Sequence, residues 1–125
     1  MPGGLATFSC MSPSMPNLTL ADFDGITLRK PGVWLVDFST AWCPPCRVLT
    51  PVLVALAVTL AGQVGFAAVD ADEQAELATC FGVVAMPTML LFRDGRVIGQ
   101  KVGAMPRAKI VAWLASAGVE ARAAI

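Results

Sequence analysis

Apolar residues fall along this chain in short blocks, and the spacing inside each block predicts its element. Val33-Trp34-Leu35-Val36-Asp37-Phe38 is a nearly unbroken apolar run with one acid inside it. Such a run suits a strand buried on both faces. After a cysteine segment, Leu49, Val52, Leu53, Leu56 and Leu60 recur at helical spacing and predict a helix to about Ala61. Pro51 should bend it, because proline has no N–H and crowds the preceding turn. Residues 64–69 read as a second buried strand. Residues 72–81 read as a helix stopped by Gly82, with Asp72, Glu73 and Glu76 early, where the helix dipole favours acids. Residues 88–92 and 97–102 are apolar runs on either side of Arg93-Asp94-Gly95-Arg96. Asp-Gly between two such runs predicts a hairpin. Pro106 opens a last helix to about Ser116, with Ile110, Val111 and Leu114 on its apolar side.

Upstream the signals are shorter. Residues 17–20 read as an edge strand and 22–28 as a short helix broken by Lys30-Pro31-Gly32. Residues 1–16, rich in Pro, Gly, Ser and Met and without period, read as a flexible leader, leaving 17–125 as one domain. The strand–helix–strand from 33 to 69 needs a crossover and hence parallel pairing, whereas the Asp-Gly hairpin is antiparallel. Together they predict an α/β domain with a mixed central sheet flanked by helices.

Composition removes several function classes. Nine cationic and nine anionic side chains give a formal charge of zero with no basic run, so phosphate neutralisation, and with it nucleic-acid binding, has no basis. Only 14% of residues are charged against 56% hydrophobic, and weak self-association is an expectation of so little repulsion. Residues 48–69 carry no charge and are long enough for a bilayer. The Gly62-Gln63-Val64-Gly65 break instead divides them into a helix, a turn and a strand, so no stable membrane insertion is expected. The first residues lack the basic start and apolar stretch of a secretory signal. Histidine is absent, which removes the usual general base and the commonest metal ligand.

Four cysteines stand at 10, 43, 46 and 80. Cys-x-x-Cys serves either as half of a zinc site or as a redox pair. Zinc would need Cys10 and Cys80 as its other ligands, and both are isolated, so Cys43 and Cys46 read as a redox dithiol and no metal is expected. They stand at a strand-to-helix junction, where free N–H groups and the dipole stabilise a thiolate. Cys43, at the helix start, is expected to be accessible and to attack a substrate disulfide. Cys46, one turn in and more buried, then resolves the mixed disulfide. Pro44 and Pro45 stiffen the loop and remove two N–H donors. Cys80 is expected to be a buried, inert thiol, and Cys10 to be open to intermolecular disulfides. Asp37, inside an apolar run, should have its pKa raised by desolvation.

Val-Asp-Phe-Ser-Thr-Ala-Trp-Cys-Pro-Pro-Cys-Arg, Pro51, Met86-Pro87-Thr88, Asp94-Gly95 and Val102-Gly103-Ala104 occur here in an order that resembles the thioredoxin family over about residues 18–116. The resemblance implies the thioredoxin fold, with helices on both faces of the sheet. It implies a protein thiol–disulfide oxidoreductase that needs no cofactor beyond its own Cys43–Cys46 pair. It further implies reduction of protein disulfides in the cytoplasm, electron transport and redox homeostasis, and re-reduction by an NADPH-dependent thioredoxin reductase. By position, Asp37 becomes the group that takes the proton of Cys46. Pro87 becomes a cis-proline facing the cysteines, and Trp42, Pro44, Pro45, Met86, Pro87, Gly103 and Ala104 become the substrate-binding rim.

The departures bear on the direction of electron flow. Pro-Pro replaces the more usual Gly-Pro between the cysteines and also occurs in tryparedoxin-like and some membrane-tethered relatives. Ala68 stands where a lysine often faces the buried aspartate, and Ser39-Thr40 replaces the usual Trp-Ala pair. An oxidising or electron-delivering role outside the cytoplasm, and a non-catalytic binding module that uses the apolar rim, are the alternative readings.

Overall fold

The computed structural model describes residues 32–119. The expected leader, edge strand and first helix lie outside these residues, as does Cys10. The described chain runs β1 (Val33–Ser39), α1 (Pro44–Thr59), β2 (Val64–Asp70), α2 (Ala75–Cys80), β3 (Thr88–Arg93), β4 (Arg96–Val102) and α3 (Arg107–Ser116).

The described strands form one mixed sheet in the order β2-β1-β3-β4. β1 pairs parallel with β2 and antiparallel with β3. β3 pairs antiparallel with β4 through a two-residue turn, in which Asp94 (φ 52) and Gly95 (φ 85) both take the left-handed backbone that such hairpins need. Side chains alternate across β1, so its two faces feed two cores. Val33 and Leu35 pack with Leu49, Leu53 and Leu56 of α1, Phe66 and Ala68 of β2, and Ile110 and Leu114 of α3. Val36 and Phe38 pack on the other side with Ala67, Val69, Leu77, Ala78, Leu90 and Phe92. Helices therefore cover both faces, and this is the thioredoxin fold. Both faces of β1 being buried is why its sequence shows no polar alternation.

Two helices differ from their expected bounds. α1 ends at Thr59, and it continues through Pro51. α2 begins at Ala75, three residues later than the acids suggested. The cause is Asp70, whose Oδ1 accepts from the N–H groups of Asp72 and Glu73 at 2.9 and 3.1 Å. That side chain closes a turn, in keeping with the preference of Asp for local backbone bonds. Asp72 and Glu73 thus lie in the turn, and Glu76 is the acid in the first turn of the helix. Cys80 is exposed, contrary to the buried thiol expected. The buried side of α2 is taken by Leu77 and Ala78, and Cys80 falls outside that stripe.

Candidate redox site

The strand end of β1 and the start of α1 build the site. Cys43 is the N-cap of α1, with extended backbone, and Pro44 and Pro45 fill the first two helical positions. Neither proline has an N–H, so the third position supplies the capping bond. The Cys46 N–H donates to Cys43 Sγ at 3.3 Å. The sulfur thus occupies the place of a capping hydroxyl and faces the positive end of the helix.

The expected contrast in exposure is not found. Cys43 is 3% exposed and Cys46 2%, and the Thr40–Cys46 turn that carries them is held by two hydrogen bonds. Cys43 N–H reaches back to the Thr40 carbonyl at 3.4 Å, and the Arg47 guanidinium closes the same turn onto the Ala41 carbonyl at 3.1 Å. Burial and a hydrogen bond with Cys43 push the Cys46 thiol up to about 11, against a backbone bond at Thr40 that favours the thiolate; the nearby charges of Cys43 and Asp37 add to the rise.

Asp37 is 0% exposed. It shares the α1 face of β1 and sits between Ala68 on β2 and Met89 on β3. Neither neighbour can donate a hydrogen bond, and both carboxyl oxygens are without a protein partner. Desolvation raises its pKa from the usual 3.8 to about 7.

The expected rim divides into two parts. Trp42 is 66% exposed, and its Nε1 donates to Asp72 Oδ2 at 2.8 Å. That bond fixes the ring over the β2–α2 turn. Trp42 and Met86 line one groove. The Met86–Pro87 peptide is cis, and Pro87 is buried while Pro44 and Pro45 are exposed. The Pro87 carbonyl accepts from Gly103 N–H at 2.8 Å, which ties Gly103 (φ 97) and exposed Ala104 to the start of β3.

Two residues of the neighbourhood, Asp72 and Val84, were given no part in the site from sequence, and Thr40 only as a departure beside it. Asp72 looked like a helix-start acid, and its place after the end of a parallel strand, where ligands gather in open α/β sheets, was the available signal. Thr40 is buried, and its Oγ1 has no protein partner. Val84, two residues before Met86, is 94% exposed. Among the described residues no group of three or more His, Cys, Asp or Glu gathers to hold a metal, and no helix is long and apolar enough to cross a membrane.

Comparison with known proteins agrees with this geometry. A sequence model of the Thioredoxin family matches residues 14–116. The thioredoxin of Rhodospirillum rubrum is 36% identical over 100 residues, which are 80% of this chain and 96% of that protein. The thioredoxin of Pseudomonas aeruginosa is 36% identical over 104 residues, 83% of this chain and 96% of that one. A thioredoxin of Alicyclobacillus acidocaldarius is 42% identical over 81 residues, 65% and 77% of the two chains. With its sheet order, its Cys-x-x-Cys helix cap and this match over most of its length, the chain belongs to the thioredoxin family of thiol–disulfide oxidoreductases.

Proposed function

We propose that the protein reduces disulfides in partner proteins by cycling Cys43 and Cys46 between dithiol and disulfide, with Cys43 leading. The observation that carries this is the asymmetry of the pair. Cys43 Sγ is the helix cap and accepts an N–H, while Cys46 is held as a thiol to about 11.

The Cys43 thiolate attacks one sulfur of the partner disulfide, and the other partner sulfur leaves as a thiolate. Cys43 is then bound in a mixed disulfide and has lost its charge. Two of the influences that keep Cys46 protonated, the hydrogen bond with Cys43 and its charge, go with it. The thiol therefore becomes more acidic at the moment its thiolate is needed. Its proton passes to Asp37, the buried carboxyl beside it. Cys46 attacks Cys43, and the second partner sulfur leaves. Two electrons have moved to the partner, whose two thiolates take up one proton from Asp37 and one from solvent, and Cys43–Cys46 is a disulfide. Trp42, Pro44, Pro45, Met86, Pro87, Gly103 and Ala104 hold the partner's chain during these steps. The setting is the cytoplasm, and an NADPH-dependent thioredoxin reductase returns the disulfide to the dithiol.

The direction is tested by equilibrating the protein with a glutathione buffer and reading its reduction potential. A reductant sits near about −270 mV. A value near about −120 mV, where strong oxidants lie, would overturn the reductive reading in favour of an oxidant outside the cytoplasm.

A further inference from the structure

The groove that Trp42 and Met86 share has a volume of about 390 Å³, at the small end of clefts that hold ligands. Its walls are mainly apolar. Trp42 and Val84 stand exposed at its mouth, and Ala78, Val83 and Met86 lie along it. Asp72 lines it too, and no Lys or Arg does.

Charge is sharply divided around this groove despite a formal net charge of zero. Asp70, Asp72, Glu73 and Glu76 crowd the β2–α2 turn and the start of α2. Glu76 stands three residues before Thr79 of the groove wall, hence on the same side of α2. Arg93, Arg96, Lys101, Arg107 and Lys109 all belong to β3, β4 and α3, and β4 is at the far side of the sheet from β2. Arg47, the other described cation, is turned onto the Ala41 carbonyl. Among the described residues four acids thus face one nearby cation, Arg47, so the field these residues set over the groove is net negative and favours a cation over an acid.

We propose that this groove selects disulfide-bearing partner segments in which a Lys or Arg adjoins an apolar residue. The apolar side chain lies between Trp42 and Val84, and the cation faces Asp72, Glu73 and Glu76. The inference rests on the reading of Cys43 as the attacking thiol, which fixes where the partner's cystine must be. A second copy of this chain could offer basic and apolar residues from β4, where Val97, Ile98 and Val102 are exposed. Neither β4 nor α3 carries a cysteine, so that occupant would bring no disulfide to the dithiol.

The test uses disulfide-linked peptides that differ only in the residue next to a Leu flanking the cysteine: Lys, Gln or Glu. Second-order rates of reduction by the reduced protein are divided by those with dithiothreitol, which removes the peptides' own reactivity. The Lys peptide should be reduced about five-fold faster than the Glu peptide, the scale that an exposed ion pair supports. The preference should vanish at about 0.5 M salt, where screening is nearly complete. Glu73→Lys/Glu76→Lys should reverse the order, and Asp72→Asn, which keeps an acceptor for Trp42, should weaken it. Reduction of all three peptides at equal corrected rates, or an order unchanged by both variants, would overturn this inference while leaving the dithiol reading intact. Reduction of none of them would overturn both.

Discussion

Asp37 faces a carboxyl's most expensive surroundings, a dry sheet interior with Ala68 and Met89 on either side and no donor for either oxygen. The rise of its pKa from 3.8 to about 7, at about 1.36 kcal/mol for each pH unit, amounts to roughly 4 kcal/mol. The sign follows from where the proton sits. Between these two values the folded protein keeps it and the unfolded chain has lost it, so stability falls as pH rises from about 4 to about 7 and is flat above. Asp37→Asn removes that dependence. Leaving a buried amide without partners costs about 1–3 kcal/mol, so the variant should gain about 1–3 kcal/mol of unfolding free energy at pH 8 and lose about 1–3 kcal/mol at pH 4. Urea unfolding at the two pH values reads this out, and an equal effect at both would contradict a buried carboxyl of raised pKa. The same substitution should slow disulfide reduction by about ten-fold or more, within the scale of acid–base catalysis, as measured in steady-state assays with a protein disulfide.

At the scale of elements, the close fits are between a strand glycine and an aromatic ring. A Cβ on Gly65 of β2 would overlap the Trp34 ring on the neighbouring strand. Gly65→Ala should therefore destabilise by about 1–3 kcal/mol, the range for overpacking, and a drop in the urea midpoint checks it. The β3–β4 turn has a similar dependence. Gly95 holds φ 85, and Asp94 at φ 52 accepts the Gly32 N–H at 2.7 Å. Gly95→Ala should lose about 1 kcal/mol or more, visible as a lower thermal midpoint. The hairpin was legible because Asp94-Gly95 is a local signal set between two apolar runs. The start of α2 was not, because the acids that mark a helix N-terminus serve equally well in a turn, and Asp70 takes the two amides first.

Across the whole molecule, legibility follows the range over which a feature is assembled. The buried strands, the helix faces and the Cys43–Cys46 cap are written in stretches of a few to about sixteen residues, so pattern and spacing expose them. Asp37 was legible for the same reason, as a lone acid in an apolar run. The groove was not, since it joins Trp42, the β2–α2 turn, α2 and Val84–Met86, which meet only when the sheet forms. The burial of Cys43 and the turn bonds at Thr40 and Ala41 beside it are announced by no motif, and the exposure of Cys80 depends on how a short helix is rotated.

The central claim, that Cys43 attacks and Cys46 resolves, is tested most directly by trapping. Cys46→Ser and Cys43→Ser are each prepared with Cys80→Ser and Cys10→Ser, reduced, and mixed with a disulfide-containing cell extract, and adducts reversible by dithiothreitol are mapped by mass spectrometry. The account predicts mixed disulfides through Cys43 in the first variant and none through Cys46 in the second. Adducts at Cys46 in yield equal to those at Cys43, or no adducts in either variant, would contradict it.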